Sequence, residues 1–409
     1  MRVSTAFNKM LAIPGASVAT VEFSPGGIVV GLRRRARLLR CPCGHFTTRS
    51  VYDRSLRRWR HLDLGASKLA LEAEIRRLWC ETCQRVRTEE VPWARPGSRC
   101  SRDLEDVVAW LAVRADKTTV ARLLGISWAT VARIVVRVVT DHIDERRLDG
   151  LYRIGVDEVS WRKGHRYVTV VANHDASGAV AWAGEGKSAA TLQRFYDELG
   201  PERTARLEAV SLDMGGAYAK ATAEMAPGAR MCIDPFHVVA LANEAVNATR
   251  RWAWNEARRS GTDARWVKHT RWALVKDPGN LTTSQRLVLD ELRRGRNVLF
   301  RSWELKEALR DVYRLRELGA AHQFLDRWLA RACRSRIPAF VKLSRTIRAH
   351  RAGILAAVEL GLSNSKLEGL NSKIRLINHR GYGHHSAAAV ISMIYLCCGG
   401  ITVDLPTGR

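Results

Sequence analysis

Three acids in this chain occupy settings that a surface carboxylate does not need. Asp157 lies inside the strand-like run Arg153 to Trp161, and Asp213 ends the apolar run from Leu207 just before Met214, Gly215 and Gly216. Glu368 lies in a helical stretch where its neighbours three and four positions away are Asn364, Ser365, Asn371 and Ser372, so it has no local Lys or Arg partner. Hard divalent cations require oxygen ligands, and three convergent carboxylates can hold two Mg²⁺ about 4 Å apart. One such ion activates a water or a 3′-hydroxyl and the other steadies a leaving oxygen, which is phosphodiester chemistry. Spacing alone does not select this triple in a chain with 41 Asp and Glu.

A second constellation is made of sulfur. Cys41-Pro42-Cys43-Gly44 and Cys80-Glu81-Thr82-Cys83 are two knuckles that can aim four thiolates at one Zn²⁺. The second has the standard C-x2-C spacing. The first is one residue short, so His45 and Cys100 stand as alternative ligands. Nine cysteines in a long chain argue for metal binding or burial over a disulfide framework.

The elements that would position these groups follow from periodicity. Two strands flank the turn Ser24 to Gly27, and Leu69 to Leu78 reads as a strand leading into the second knuckle. The Arg57, Arg58, Arg60, Arg76 and Arg77 between the knuckles suit either phosphate docking or a solvated face. Ser101 caps a helix, and residues 117–134 read as a helix-turn-helix with Gly125 at the bend and Ser127 capping the second helix. Trp128, Thr130, Arg133 and Arg137 then face outward as DNA-binding candidates.

From Tyr152 the period changes to two. Strands are expected at 153–161, 167–173, 179–182, 207–213 and 230–233, with helices at 188–199 and 217–225. Asp234-Pro235 reads first as a helix N-cap with proline at N1. Residues 238–361 are helical and basic, and the tryptophans among the arginines there are expected mostly in the core. In the final helix Leu367, Leu370, Ile374 and Ile377 form one apolar stripe.

A formal net charge of +26 from 67 Lys and Arg points to a polyanion partner. No run of 18 apolar residues exists, so no membrane span is expected. With no signal-like start either, the expected location is the cytoplasm.

Four segments, in this order, carry a resemblance: Gly155-Val156-Asp157-Glu158 with Arg162 to Tyr167; Ser211-Leu212-Asp213-Met214 with Ala217-Tyr218; Asp234-Pro235-Phe236-His237-Val238; and Asn364 to Asn371 with Arg380 to Gly383. The chain resembles DDE transposases of bacterial insertion sequences, in particular the ISL-three family, over nearly its whole length. The resemblance implies an α/β architecture: a ribonuclease-H-like catalytic domain with a large all-α insertion, preceded by a small zinc-ribbon-like module and a helix-turn-helix domain. The implied boundaries are 1–95 (β and zinc module), 96–148 (helix-turn-helix), 149–237 (first catalytic part), 238–361 (helical insertion) and 362–409 (C-terminal catalytic part).

The resemblance makes Asp157, Asp213 and Glu368 the catalytic triad holding two Mg²⁺ or Mn²⁺, with Asp234 and His237 in support. It makes Cys41, Cys43, Cys80 and Cys83 the zinc ligands. Asn364 and Asn371 are expected to orient the Glu368 carboxylate or its bound water, and Arg375 and Arg380 to meet phosphates. The implied activity is binding of terminal inverted repeats in double-stranded DNA, then cleavage and strand transfer by a dimer or larger assembly. The alternative is a DNA-binding regulator whose nuclease domain is inactive.

Overall fold

The computed structural model describes residues 2–36, 38–47, 51–175, 179–295, 297–315, 317–362, 365–381 and 383–406, and the side chains of 365 and 366 are not described. Asn364 therefore lies outside the described residues. The chain divides into two compact units, Met1–Ile143 with Arg380–Arg409, and Asp144–His379.

The first unit opens with helix α1 (Val3–Leu11), where the sequence suggested only strands. The anchor is Phe7, the one buried residue on a helix whose other apolar residues, such as Val3 and Met10, stay exposed. Strands β1 (Ala16–Ser24) and β2 (Gly27–Arg34) form the expected hairpin. A two-strand ribbon, β3 (Leu39–Arg40) and β4 (Phe46–Thr47), precedes β5 (Val51–Arg60), β6 (Leu69–Cys80) and β7 (Arg85–Thr88). The main sheet runs β1-β2-β6-β5, with β7 on β6. Trp59, Leu71, Val30 and Trp93 fill its core.

Helices α2 (Arg102–Ala112), α3 (Lys117–Leu124) and α4 (Trp128–His142) follow. Asp116 and Ser127 cap α3 and α4 as N-caps should, and Gly125 closes α3 in the left-handed conformation at φ +61°. The resulting bend between α3 and α4 is 102°, the geometry of a helix-turn-helix. Val131, Ile134, Val135, Val138 and Val139 make the buried face of α4.

The second unit is built on a five-stranded sheet: β8 (Arg153–Arg162), β9 (Arg166–Asn173), β10 (Val180–Glu185), β11 (Ala209–Leu212) and β12 (Arg230–Ile233). The order is β10-β9-β8-β11-β12, with β8, β9 and β10 antiparallel and β11 and β12 parallel to β8. That is the ribonuclease-H-like topology. Helices α5 (Ala189–Leu199), α6 (Pro201–Thr204) and α7 (Gly216–Met225) make the crossovers.

Eight helices then form the insertion: α8 (Pro235–Arg259), α9 (Arg265–His269), α10 (Arg271–Val275), α11 (Thr283–Arg294), α12 (Val298–Asp311), α13 (Leu318–Cys333), α14 (Pro338–Ala349) and α15 (Arg351–Leu360). One continuous core runs from Ile154 and Val210 of the sheet to Leu305, Leu325 and Phe340 of the insertion. Helix α15 lies close on β12, because a Cβ at Gly353 would stand 2.8 Å from Ile233 Cγ1. Of the expected core tryptophans, Trp328 is buried and Trp254 and Trp303 partly so, but Trp252, Trp266 and Trp272 are exposed.

Helix α16 (Ser365–Arg380) buries the anticipated stripe of Leu367, Leu370, Ile374 and Ile377. At about 1.5–3 kcal/mol for each buried large apolar side chain, this stripe dominates the docking of α16. The final helix, α17 (Ala387–Cys398), clusters with the first unit and packs against α4. This differs from the boundary 362–409 read from sequence. The cause is composition, since α17 is apolar on nearly every side and needs a helix such as α4 with an equally apolar face.

Candidate metal and nucleic-acid sites

The sheet register explains how two distant acids meet. Ser211 on β11 pairs with Gly155 on β8, so two residues further along parallel strands Asp213 comes level with Asp157. Leu212 pairs with Ile233 on β12, which brings Asp234 to the same level on the third strand. The Asp234 amide donates to Leu212 O at 3.1 Å and holds that rung closed. Asp213 and Asp234 thus follow the carboxyl ends of β11 and β12, where α/β sheets collect chemistry, level with Asp157 in the middle of β8.

Each carboxylate is oriented. Asp157 Oδ1 accepts from the Glu158 amide at 2.8 Å, and Asp157 Oδ2 accepts from Asn371 Nδ2 at 2.5 Å. Asp213 Oδ1 accepts from the Gly215 amide at 2.9 Å. A Cβ at Gly215 would lie 2.8 Å from that same oxygen, so any larger residue there would push the Asp213 carboxylate aside. Asp234 is buried, caps α8 through the Phe236 amide at 3.2 Å, and has its Oδ2 3.8 Å from His237 Nε2.

Burial, more than charge, sets the electrostatics here. Burial pushes the Asp157 carboxyl up, opposed by the Glu158 amide, the charge of His237 and the Asn371 amide. Burial likewise raises Glu158, with further repulsion from Asp213 and Asp157. Tyr218 is raised by burial and by the same acids, and its hydroxyl lies 2.8 Å from Thr169 Oγ1. A cation at this place would relieve the repulsion, and the donor set is all oxygen, as Mg²⁺ or Mn²⁺ requires.

Alternation along β8 suggested that only one of Asp157 and Glu158 could serve a site. Both are half-buried, and the Glu158 carboxyl is raised chiefly by burial and then by the charge of Asp213.

Asn371 is not a partner of Glu368 as expected; it is 3% exposed and holds Asp157. Seven residues later Asn378 Nδ2 donates to Trp161 O at 2.8 Å. Two asparagines a heptad apart therefore run α16 alongside β8, and Asn378 lies beyond the heptad echo that marks Asn371 in sequence. Glu368 is exposed on α16, one turn before Asn371, and Arg375 is exposed two turns after Glu368 on the same side. Gly369 faces open space, so nothing in the protein demands a glycine there.

In the first unit the four cysteines converge. The short C-x-C knuckle works because it sits in the β3–β4 turn, where the Cys41 amide donates to His45 O at 2.8 Å and Gly44 takes φ +92°. Cys41, Cys43, Cys80 and Cys83 have all their Sγ atoms within 4.8 Å of one another, with Cys41–Cys83 at 3.9 Å and Cys43–Cys80 at 3.5 Å. Four thiolates about 2.3 Å from one Zn²⁺ in a tetrahedron lie about 3.8 Å apart, so the tetrad fits zinc. Neither His45 nor Cys100 joins this group of described residues.

The arginines between the knuckles are largely engaged. Arg58 pairs with Glu72, Arg60 with Asp63, Arg76 with Glu89 and Arg77 with Asp53, while Arg57 donates to Ser98 O at 2.9 Å.

On α4, Arg133 is exposed and reaches Thr130 Oγ1 at 3.3 Å. Trp128 is 47% exposed and stacks on His385 with ring centroids 4.6 Å apart. Thr130 Oγ1 also lies 2.9 Å from Ser127 Oγ. Arg137, in contrast, does not face outward: its guanidinium pairs with the fully buried Glu105 at 2.5 Å and ties α4 to α2. Arg95 completes this network through Asp106 at 2.7 Å and Asp141 at 2.9 Å. Arg380 Nη2 donates to Ala112 O at 3.1 Å, so that guanidinium is partly committed to the end of α2.

Comparison with known proteins places three segments of the chain in one family. Residues 154–394 match a family model described as a transposase, residues 89–139 the helix-turn-helix domain of transposase family ISL3, and residues 37–83 the zinc-finger of transposase IS204/IS1001/IS1096/IS1165. The chain is 40% identical over 407 residues to the transposase for insertion sequence element IS1557 of Mycobacterium tuberculosis, covering 93% of this chain and 90% of the relative. It is 29% identical over 374 residues to the transposase for IS1001 of Bordetella parapertussis, covering 90% and 92%. The solved Drosophila P element transposase strand transfer complex aligns with 72% of this chain at 11% identity and a TM-score of 0.37, too low a likeness to argue from.

Proposed function

The chain belongs to transposase family ISL3, and on that premise we propose that it binds the terminal inverted repeats of its own element, cuts there and joins the ends to target DNA. The observation that carries the chemical part is the rung shared by Asp157, Asp213 and Asp234 across β8, β11 and β12.

Asp157 and Asp213 would hold both of two Mg²⁺ or Mn²⁺ ions and Glu368 one of them. When bound, those ions supply an activated water or 3′-hydroxyl and stabilise the leaving oxygen. Asn371 and the Glu158 amide fix the two Asp157 oxygens, and the Gly215 amide fixes one oxygen of Asp213. Asp234 positions the start of α8, and His237 sets a cationic or hydrogen-bonding group beside the acids. Arg375 would meet phosphate along the side of α16 that carries Glu368.

The zinc ribbon and the helix-turn-helix read the ends, with Arg133, Thr130 and Trp128 as the groups best placed for DNA. Pairing of two ends requires at least a dimer of this chain on DNA. The test is cleavage of DNA carrying the element's ends in Mg²⁺ by purified protein. Asp157→Asn, Asp213→Asn and Glu368→Gln should each fall to background while retaining DNA binding. Wild-type activity in any of them would remove that residue from the triad.

A further inference from the structure

Helix α8 starts at the acids and continues well past them. Trp252 follows His237 by about four turns, so it lies about 22 Å further along the axis and within about 60° of the same direction. Half of Trp252, 50%, is in water, an unusual place for so large an aromatic. Its ring walls a depression floored by Ala248, Val298 and Ile337 and rimmed by Arg336 and Lys342. Arg336 is held in the left-handed conformation at φ +59°, which only a few per cent of non-glycine residues adopt, just before Pro338 starts α14.

The surroundings select the occupant. Arg251, Arg258, Lys268 and Arg271 are exposed on α8–α10, while Glu256 and Asp263 there are each paired with an arginine. A basic face alone would suit duplex DNA, but bases inside a duplex are stacked and offer no ring face to a tryptophan. An unpaired base offers one, and stacking on an aromatic side chain is indifferent to which base it is. An apolar side chain of another protein would fill the depression, but it would leave the cationic rim without a counter-charge.

We infer that the Trp252 depression receives one unpaired nucleobase of the DNA strand on which the acids at the start of α8 act, with the adjoining phosphate against Arg336 and Lys342. That the strand is DNA rests on the function proposed above.

The test uses the full chain and two probes, a blunt duplex and the same duplex with a short single-stranded thymidine extension carrying 2-aminopurine. Wild type should bind the extended probe about tenfold more tightly than the blunt one and quench the 2-aminopurine. Trp252→Ala, and Ala339→Phe to fill the depression, should both lose the preference and the quenching, whereas Trp272→Ala should keep them. Retention of the preference in Trp252→Ala, or its equal loss in Trp272→Ala, would overturn the assignment. Failure of wild type to bind the blunt duplex counts against the DNA-binding reading; tight but equal binding of both probes overturns the pocket alone.

Discussion

Asn371 Nδ2 lies 2.5 Å from Asp157 Oδ2, a hydrogen bond that with Asn378 ties α16 to β8. Because Asn371 is 3% exposed, the bond is shielded from water and its geometry is firm. Asn371→Ala should reduce cleavage of end-containing DNA by about 10–100-fold, the usual effect of removing a group that orients a metal ligand. Asn371→Asp should be worse, since it sets a second carboxylate against Asp157. Unchanged cleavage rates in both would remove Asn371 from the positioning role.

Gly215 gives a second, purely steric test. A methyl group there would meet the Asp213 carboxylate at 2.8 Å, so Gly215→Ala must displace it. A shift of about 1 Å at a reacting group costs about a hundredfold in rate. Cleavage should fall by that order while thermal unfolding barely changes. Gly216→Ala, whose Cβ meets nothing within 4 Å, is the matched control and should stay active.

The cysteine tetrad should hold about one zinc per chain by elemental analysis. Zinc binding in such sites is itself folding free energy. Cys80→Ser or strong chelation should therefore release the metal and abolish amide-exchange protection in β3, β4 and the end of β6. Full protection after metal removal would mean that the thiols stand together without zinc.

Arg133 and Arg137 should separate cleanly, although they lie one turn apart. Arg133→Ala should weaken DNA binding and lower its salt dependence with little change in stability. Arg137→Ala removes one partner of the fully buried Glu105, which keeps Arg95 and Ser98, and should destabilise the first unit by about 1–3 kcal/mol. The reverse pattern in denaturation and binding experiments would reassign both.

The same ionic network sets an acid limit. Burial alone would raise the Asp141 carboxyl, but hydrogen bonds and charge from Arg102 and Arg95 hold it below its ordinary value of 3.8. A depressed carboxyl contributes stability above its unfolded-state value, and that contribution is lost as pH falls through the folded value. Wild type should therefore lose stability below about pH 4 more steeply than Asp141→Asn. Parallel acid-unfolding curves would show that Asp141 contributes nothing.

Much of the catalytic sheet was readable because its strands end where their chemistry begins. Leu207 to Asp213 and Arg230 to Ile233 are apolar runs closed by an acid, and the observed β11 and β12 fall within them. The stripe on α16 was readable for the same reason, since burial leaves a period. What sequence could not carry was direction between elements. Arg137 has the spacing of an outward residue, and only the buried Glu105 on α2 reveals that it turns inward. Asn371 has no local mark that separates a partner for Glu368 from one for Asp157. The exposed Trp252, Trp266 and Trp272 read as core because hydropathy cannot distinguish a buried ring from one kept bare.

The packing of α17 on α4 has a consequence for synthesis. The valine face of the DNA-reading helix, Val131 to Val139, is made early by the ribosome, yet the helix that packs against it ends at Cys398. A chain released before that point would leave part of that valine face uncovered, so truncated translation products are expected to be weaker competitors for the element's ends. The order of residues along the chain thus places the reader's last packing partner after Asp157, Asp213 and Glu368.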